Sequence, residues 1–111
     1  MQKRALFQLF ATLMLLGLPG VAQESPTVAI TGGRIRGSAQ ASGAVFKGIP
    51  FAEPPVAELR WREPRAMKPW PGVRDATNFG SRCMQNGGNV SEDCLYLNVW
   101  TPEWPPRRPS R

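Results

Sequence analysis

Between Glu92 and Pro102 the chain reads Glu-Asp-Cys-Leu-Tyr-Leu-Asn-Val-Trp-Thr-Pro, and the strand predicted here sets the strictest condition on any fold. On an extended backbone Leu95, Leu97 and Val99 point to one side, and Tyr96, Asn98 and Trp100 to the other. Both sides are largely apolar, so the strand calls for cover on both faces, and the amide of Asn98 calls for a hydrogen-bond partner. Pro102 stops the ladder. Two carboxylates and a cysteine, Glu92, Asp93 and Cys94, sit at the entry. A strand of this kind belongs inside a large sheet, yet 111 residues leave room for one small domain at most.

Part of that length has another purpose. Lys3 and Arg4 precede a mostly apolar run from Ala5 to Leu18, Pro19-Gly20 breaks it, and Gly20-Val21-Ala22 offers small residues. This order is that of a secretory signal, residues 1–22, cleaved near Ala22, and it predicts a secreted or periplasmic product. The run falls short of the roughly 20 residues that cross a bilayer, so no stable membrane span is expected, an uncleaved anchor being the competing reading. In an exported chain the two cysteines, Cys83 and Cys94, suggest one disulfide around the flexible Gln85–Asn89 loop; two free thiols would require the signal reading to fail. With no histidine and two thiols, a zinc site has too few ligands. The formal charge of +6 comes from scattered arginines and a basic tail, not from a stripe interleaved with aromatic readers. No nucleic-acid partner is expected.

In chain order, Thr27–Thr31 alternates as a strand, Gly32-Gly33 supplies a tight turn, and Arg34–Gly37 returns beside it. Ala44–Ile49 is a third extended segment, ended by Pro50. The three together suggest a small antiparallel sheet with Val28, Ile30, Ile35, Val45 and Phe46 in its core. Prolines at 50, 54, 55, 64, 69 and 71 then forbid long regular elements. This segment predicts an ordered wrap anchored by Phe51, Leu59, Trp61 and Trp70 rather than a proline-rich linker, because linkers seldom carry so many large apolar residues. Residues 72–80 show no clear period. The end, 103–111, has no sheet pattern and predicts a disordered Pro/Arg tail. Asn89-Val90-Ser91 is formally an acceptor for N-glycosylation in a eukaryotic export pathway.

The blocks that carry chemistry-bearing spacing resemble one family. Glu92–Asn98 with Val99–Pro102 is similar to the second signature of the type-B carboxylesterases, the cholinesterase-like branch of the α/β-hydrolases. Phe46–Pro55 resembles the family's F-x-G-I-P-Y/F-A-x-P-P block, and Leu59-Arg60-Trp61 with Pro64 the L-R-F/W…P that follows it. Trp70, Ala76, Phe79-Gly80, Cys83 and Gln85 complete the approach. Ala57 stands where the family usually has glycine. The resemblance runs from about Thr27 to Pro102 and implies an incomplete α/β-hydrolase fold over residues 23–102: the N-terminal small sheet, the proline-rich wrap and the first strand of the central sheet. It also implies that Cys83–Cys94 corresponds to the family's N-terminal disulfide, and that Arg60 and Glu92 form a structural ion pair. Taken alone, Glu92-Asp93 could be a catalytic carboxylate pair, but adjacent residues at a strand entry point apart, whereas such a pair must face one substrate atom.

Membership implies ester hydrolysis by a Ser–His–Glu/Asp triad, with the serine on a nucleophile elbow and oxyanion donors from a Gly-rich loop. This sequence contains neither a G-x-S-x-G nor a histidine. Ser38, Ser42 and Ser81 therefore have no imidazole to act as base, and no catalytic, cofactor-binding or metal-binding residue is assigned. Three readings follow. The first is the N-terminal portion of a secreted carboxylic ester hydrolase, inactive alone and meeting an ester substrate only in a full-length form; the change of character after Pro102 suggests truncation or a shifted frame. The second is a small exported, non-catalytic binding module. The third is a subunit that complements a second chain carrying the triad.

Overall fold

The computed structural model describes residues 24–107; the signal reading for 1–22 and the end of the tail lie outside the described residues. Six strands form in the order β1 (Thr27–Ile30), β2 (Gly33–Arg36), β3 (Ser38–Ala39), β4 (Ala44–Pro50), β5 (Val73–Asp75) and β6 (Tyr96–Thr101), with one 3-10 turn at Ala57–Leu59. They make two three-stranded sheets, β1-β2-β5 and β3-β4-β6. β1 and β2 are an antiparallel hairpin with Ile30 opposite Gly33, so the turn residues are Thr31 and Gly32, one step earlier than the Gly-Gly pair suggests.

The expected three-strand antiparallel sheet is corrected in two ways. The third segment, β4, leaves β1 and β2 and pairs antiparallel with β3 and β6. Its place beside β2 goes to β5, in parallel, from a stretch with no periodicity to announce it. Three residues are too few for alternation to be legible, and β5 is defined by its ladder to β2 rather than by a buried face of its own.

The core consists of Ile35, Ala44, Phe46, Ile49 and Ala76, with Val28, Trp70 and Trp104 packed against it. Val45 is also buried, whereas Ile30, expected inside, is 37% exposed. Ala76 joins the sheets: its N–H donates to Arg36 O (2.8 Å), continuing the β2–β5 ladder, and its carbonyl accepts from Lys47 N–H of β4 (2.7 Å). In the wrap, Ala52 bridges to Ala66, and Trp70 donates its indole N–H to Arg34 O (3.1 Å). Trp61 is not an anchor here; it is 97% exposed with φ of 60°. Trp104, which the sequence places in the tail, is packed: it donates its backbone N–H to Ser42 O (3.3 Å) and its ring lies edge-on against Phe46 at 5.5 Å.

Ala57 opens the 3-10 turn at φ 49°. That left-handed conformation costs an L-residue with a Cβ about 1–2 kcal/mol, which gives the resemblance's usual glycine a physical reason. Ala57→Gly is expected to stabilise the wrap by about 0.5–1 kcal/mol once the extra freedom of glycine in the unfolded chain is offset. The measurement is tryptic cleavage after Arg60, which should slow about two- to fivefold if cleavage follows the opened population; unchanged or faster cleavage would count against strain at Ala57. For the chain as a whole, a small core and an exposed β6 imply a loosely packed state. A broad thermal transition and poorly dispersed amide signals are expected, and a sharp cooperative melt would contradict this.

Candidate functional site

The residues singled out from the sequence converge on the entrance and first half of β6. The strand pairs with β4 across a bulge: Phe46 faces Val99 and Ile49 faces Leu97, so Lys47 and Gly48 together oppose Asn98. The extra residue needs a left-handed backbone, and Gly48 supplies it at φ 63°; a Cβ there would lie 2.6 Å from Asn78 O. The side-chain carbonyl of Asn98 accepts the freed Gly48 N–H at 2.9 Å. This is the partner that the amide in an apolar strand demanded. Lys47 lies on the other side of the bulge with its ammonium 4.5 Å from the centre of the Phe79 ring, and Phe79 in turn leans on Trp100 at 6.3 Å.

At the strand entrance Arg60 grips Glu92 as a fork, Nε to Oε1 at 2.8 Å and Nη2 to Oε2 at 2.5 Å. The wrap brings Arg60 there from 32 positions away in the chain. The Arg60 fork holds the Glu92 carboxyl below its ordinary range, chiefly through the hydrogen bonds and less through charge alone, and Glu92 in turn raises the guanidinium. A carboxylate fixed in this way stays ionised and occupied, which suits a tie rather than a proton donor. Asp93 turns towards Tyr96, whose phenol is pushed up first by burial and then by that carboxylate. The two acids serve different partners.

Cys83 and Cys94 are bonded, with their Cα atoms 5.0 Å apart. Arg82 closes the same loop, a role not legible in the sequence: its N–H donates to Asn89 O (3.1 Å), its carbonyl accepts from Ser91 N–H (2.9 Å), and its guanidinium reaches Gly88 O. Asn89, the formal glycosylation acceptor, is exposed at φ 52°. Beside the loop lies an open hollow of about 520 Å³ lined by Phe79, Ser81, Arg82, Gln85, Tyr96 and Asn98 among others. Ser81 has no base near it in this histidine-free chain, so the hollow holds no nucleophile–base pair. Among the described residues no cluster of three potential metal ligands occurs, and no helix is long and apolar enough to cross a membrane.

The expectation that β6 is covered on both faces is not met within these residues: Leu97 and Val99 are each 39% exposed and Trp100 is 60% exposed. The strand is built for more neighbours than the described chain supplies.

The sequence pattern of the carboxylesterase family matches residues 24–111. The chain belongs to the carboxylesterase family. The match passes Pro102, where the resemblance had been expected to stop, and so includes the Trp104 anchor. Among individual relatives, the chain is 37% identical to the medium-chain fatty acyl-CoA hydrolase precursor of Anas platyrhynchos over 91% of its own length and 23% of that protein. It is 34% identical to the cholinesterase of Mus musculus over 81% of its length and 19% of that protein. A solved PNB esterase superposes with a TM-score of 0.69 at 37% identity, over 74% of this chain and 18% of that one. The chain therefore spans less than a quarter of each relative, and what it carries is a partial, sheet-rich N-terminal portion of the α/β-hydrolase fold.

The fork has a titration consequence. A carboxyl held low contributes its stabilisation in full above the ordinary carboxyl value, about 4.3, and loses it as pH falls through the lower value of the folded state. Followed by carboxyl NMR, Glu92 is expected to titrate below that value and to return towards it in Arg60→Ala. An unmoved titration would mean that the fork does not persist in solution.

Proposed function

We propose that this chain is the N-terminal section of an exported carboxylic ester hydrolase of the serine-esterase type, and that it acts as scaffold rather than as catalyst. The superposition on a solved esterase over three quarters of the chain is the observation that carries this reading. Within the superposable type of fold, the Arg60–Glu92 fork and the Cys83–Cys94 bond pin the start of β6 from two sides, and the Asn98–Gly48 bond fixes its register against β4. The work assigned to this section is to hold β6 in place while residues from the rest of a hydrolase supply serine, histidine, acid and oxyanion donors.

Inactivity of the section alone follows from its composition: without an imidazole, none of its serines has a general base. Export is supported by the disulfide, which persists in oxidising compartments, and by the order of charge, apolar run and small residues at the N-terminus. Acyl and alcohol preference belong to the part of an esterase that this section does not match.

The test is hydrolysis of a short-chain aryl ester. The chain alone should give the buffer rate. A single polypeptide joining it to the PNB esterase shorn of its own matching segment should hydrolyse the ester, and Glu92→Ala in that fusion should lower the activity that survives mild heating. Turnover by the chain alone, or a folded but silent fusion, would overturn the reading.

A further inference from the structure

The four asparagines of the chain stand in different chemical settings, and one of them is set up to react. Asn98 is held at its side-chain carbonyl by the Gly48 N–H and is followed by Val99. Asn78 donates its side-chain amide to Thr77 Oγ1 at 3.1 Å and is followed by the bulky Phe79. Asn89 precedes the β-branched Val90, and its backbone carbonyl is fixed by the Arg82 N–H. Asn86 is different. It is exposed and precedes Gly87, which takes φ 117°, a conformation that glycine adopts without steric cost. The Gly87 N–H takes no part in the backbone exchange that ties the base of the loop, and a Cβ placed on Gly88 would meet nothing within 4 Å. The side-chain amide of Asn86 and the backbone nitrogen that follows it therefore share a segment with room to turn, and no backbone bond at Gly87 has to open first.

We infer that Asn86 is a site of spontaneous deamidation, which installs a carboxylate in the loop between Cys83 and Cys94 as the protein ages. The inference stands independently of the esterase reading. The Gly87 nitrogen attacks Asn86 Cγ, the bond from Cγ to the side-chain nitrogen breaks, and ammonia leaves with the proton that the Gly87 nitrogen gives up. The product is a five-membered imide. Water opens it at one carbonyl or the other and leaves an aspartyl or an isoaspartyl residue, so the net change consumes water and releases ammonia. A side chain on the following residue obstructs ring closure, and glycine has none. The formal charge of +6 falls by one. Gln85 and Asn89, on either side of the reacting pair, line the open hollow, so the new carboxylate arises beside its rim. It also arises next to Gly87, where an added Cβ would lie 2.9 Å from Arg82 Nη2, and a negative charge there attracts that guanidinium. The isoaspartyl product adds one atom to the backbone just before Gly88, whose carbonyl Arg82 holds. The disulfide keeps the ends of the loop together throughout.

The test incubates the oxidised full chain in mildly alkaline buffer, then reduces, alkylates and digests it with trypsin. Asn78 falls in one peptide, and the other three asparagines fall together in residues 83–107. Fragmentation assigns the amide-to-carboxyl mass gain to its position. Asn86 should convert at least tenfold faster than Asn78, Asn89 or Asn98, with aspartyl and isoaspartyl products both present. Its rate should lie within threefold of that in a linear peptide spanning residues 84–90. A smaller lead over the other three asparagines, or a rate further below that of the peptide, would overturn the inference. On ion exchange, a less basic species should accumulate in step with the mass gain and be absent from Asn86→Gln. Its persistence in that variant would assign the charge change to another group and overturn the inference equally.

Discussion

The bulge in β4 is the point on which the two sheets depend. Inserting one extra residue opposite Asn98 turns the Lys47 N–H away from β6 and towards Ala76, whose own N–H is already committed to Arg36 of β2. A straight β4 would keep its ladder with β6 and lose that link. The bulge is affordable because glycine takes the left-handed position and the Asn98 carbonyl satisfies the N–H left without a ladder partner. The Gly48–Asn98 bond is open to solvent, so its contribution is that of an ordinary hydrogen bond, about 0.5–1.5 kcal/mol.

Much of this was legible in the sequence, and what was not has identifiable causes. The strand at Tyr96–Thr101, the hairpin of β1 and β2, and the demand of Asn98 for a partner follow from alternation and from the cost of a bare amide. The identity of that partner, 50 positions away, does not, since nothing local encodes it. β4 is legible as a strand but its sheet is not, because neighbours in sequence usually pair, and here the bulge and the fifty-residue return of β6 override that rule. Trp61 has the size of an anchor, and only the backbone conformation, left-handed with the ring in solvent, shows that its contacts are not within these residues. The disulfide is legible from two cysteines in an exported chain as well as from the family resemblance, whereas the fork follows from the resemblance alone; spacing does not match Arg60 to Glu92 in preference to Arg62 or Arg65.

The chemistry of the two carboxylates shows why placement outranks residue type. Glu92 and Asp93 are consecutive, yet one is clasped by a guanidinium and the other faces a phenol. Glu92 is held ionised by Arg60, so a pair that could suggest acid–base catalysis in a bare sequence becomes two carboxylates with separate surroundings. The section's contribution is geometric: it presents a register-locked strand with two unspent faces.

The closed loop between Cys83 and Cys94 has a consequence for how such a surface can change. Its base is clamped twice, by the bond and by the backbone exchange of Arg82 with Asn89 and Ser91, while Met84 and the residues up to Asn89 stand in solvent. Because the entropy of closing a loop grows only with the logarithm of its length, each doubling costs about 0.6 kcal/mol. Lineages can therefore lengthen or rewrite this loop next to the hollow almost without taxing the strand behind it, which makes it a natural seam for acquiring new surface while the sheet stays unaltered.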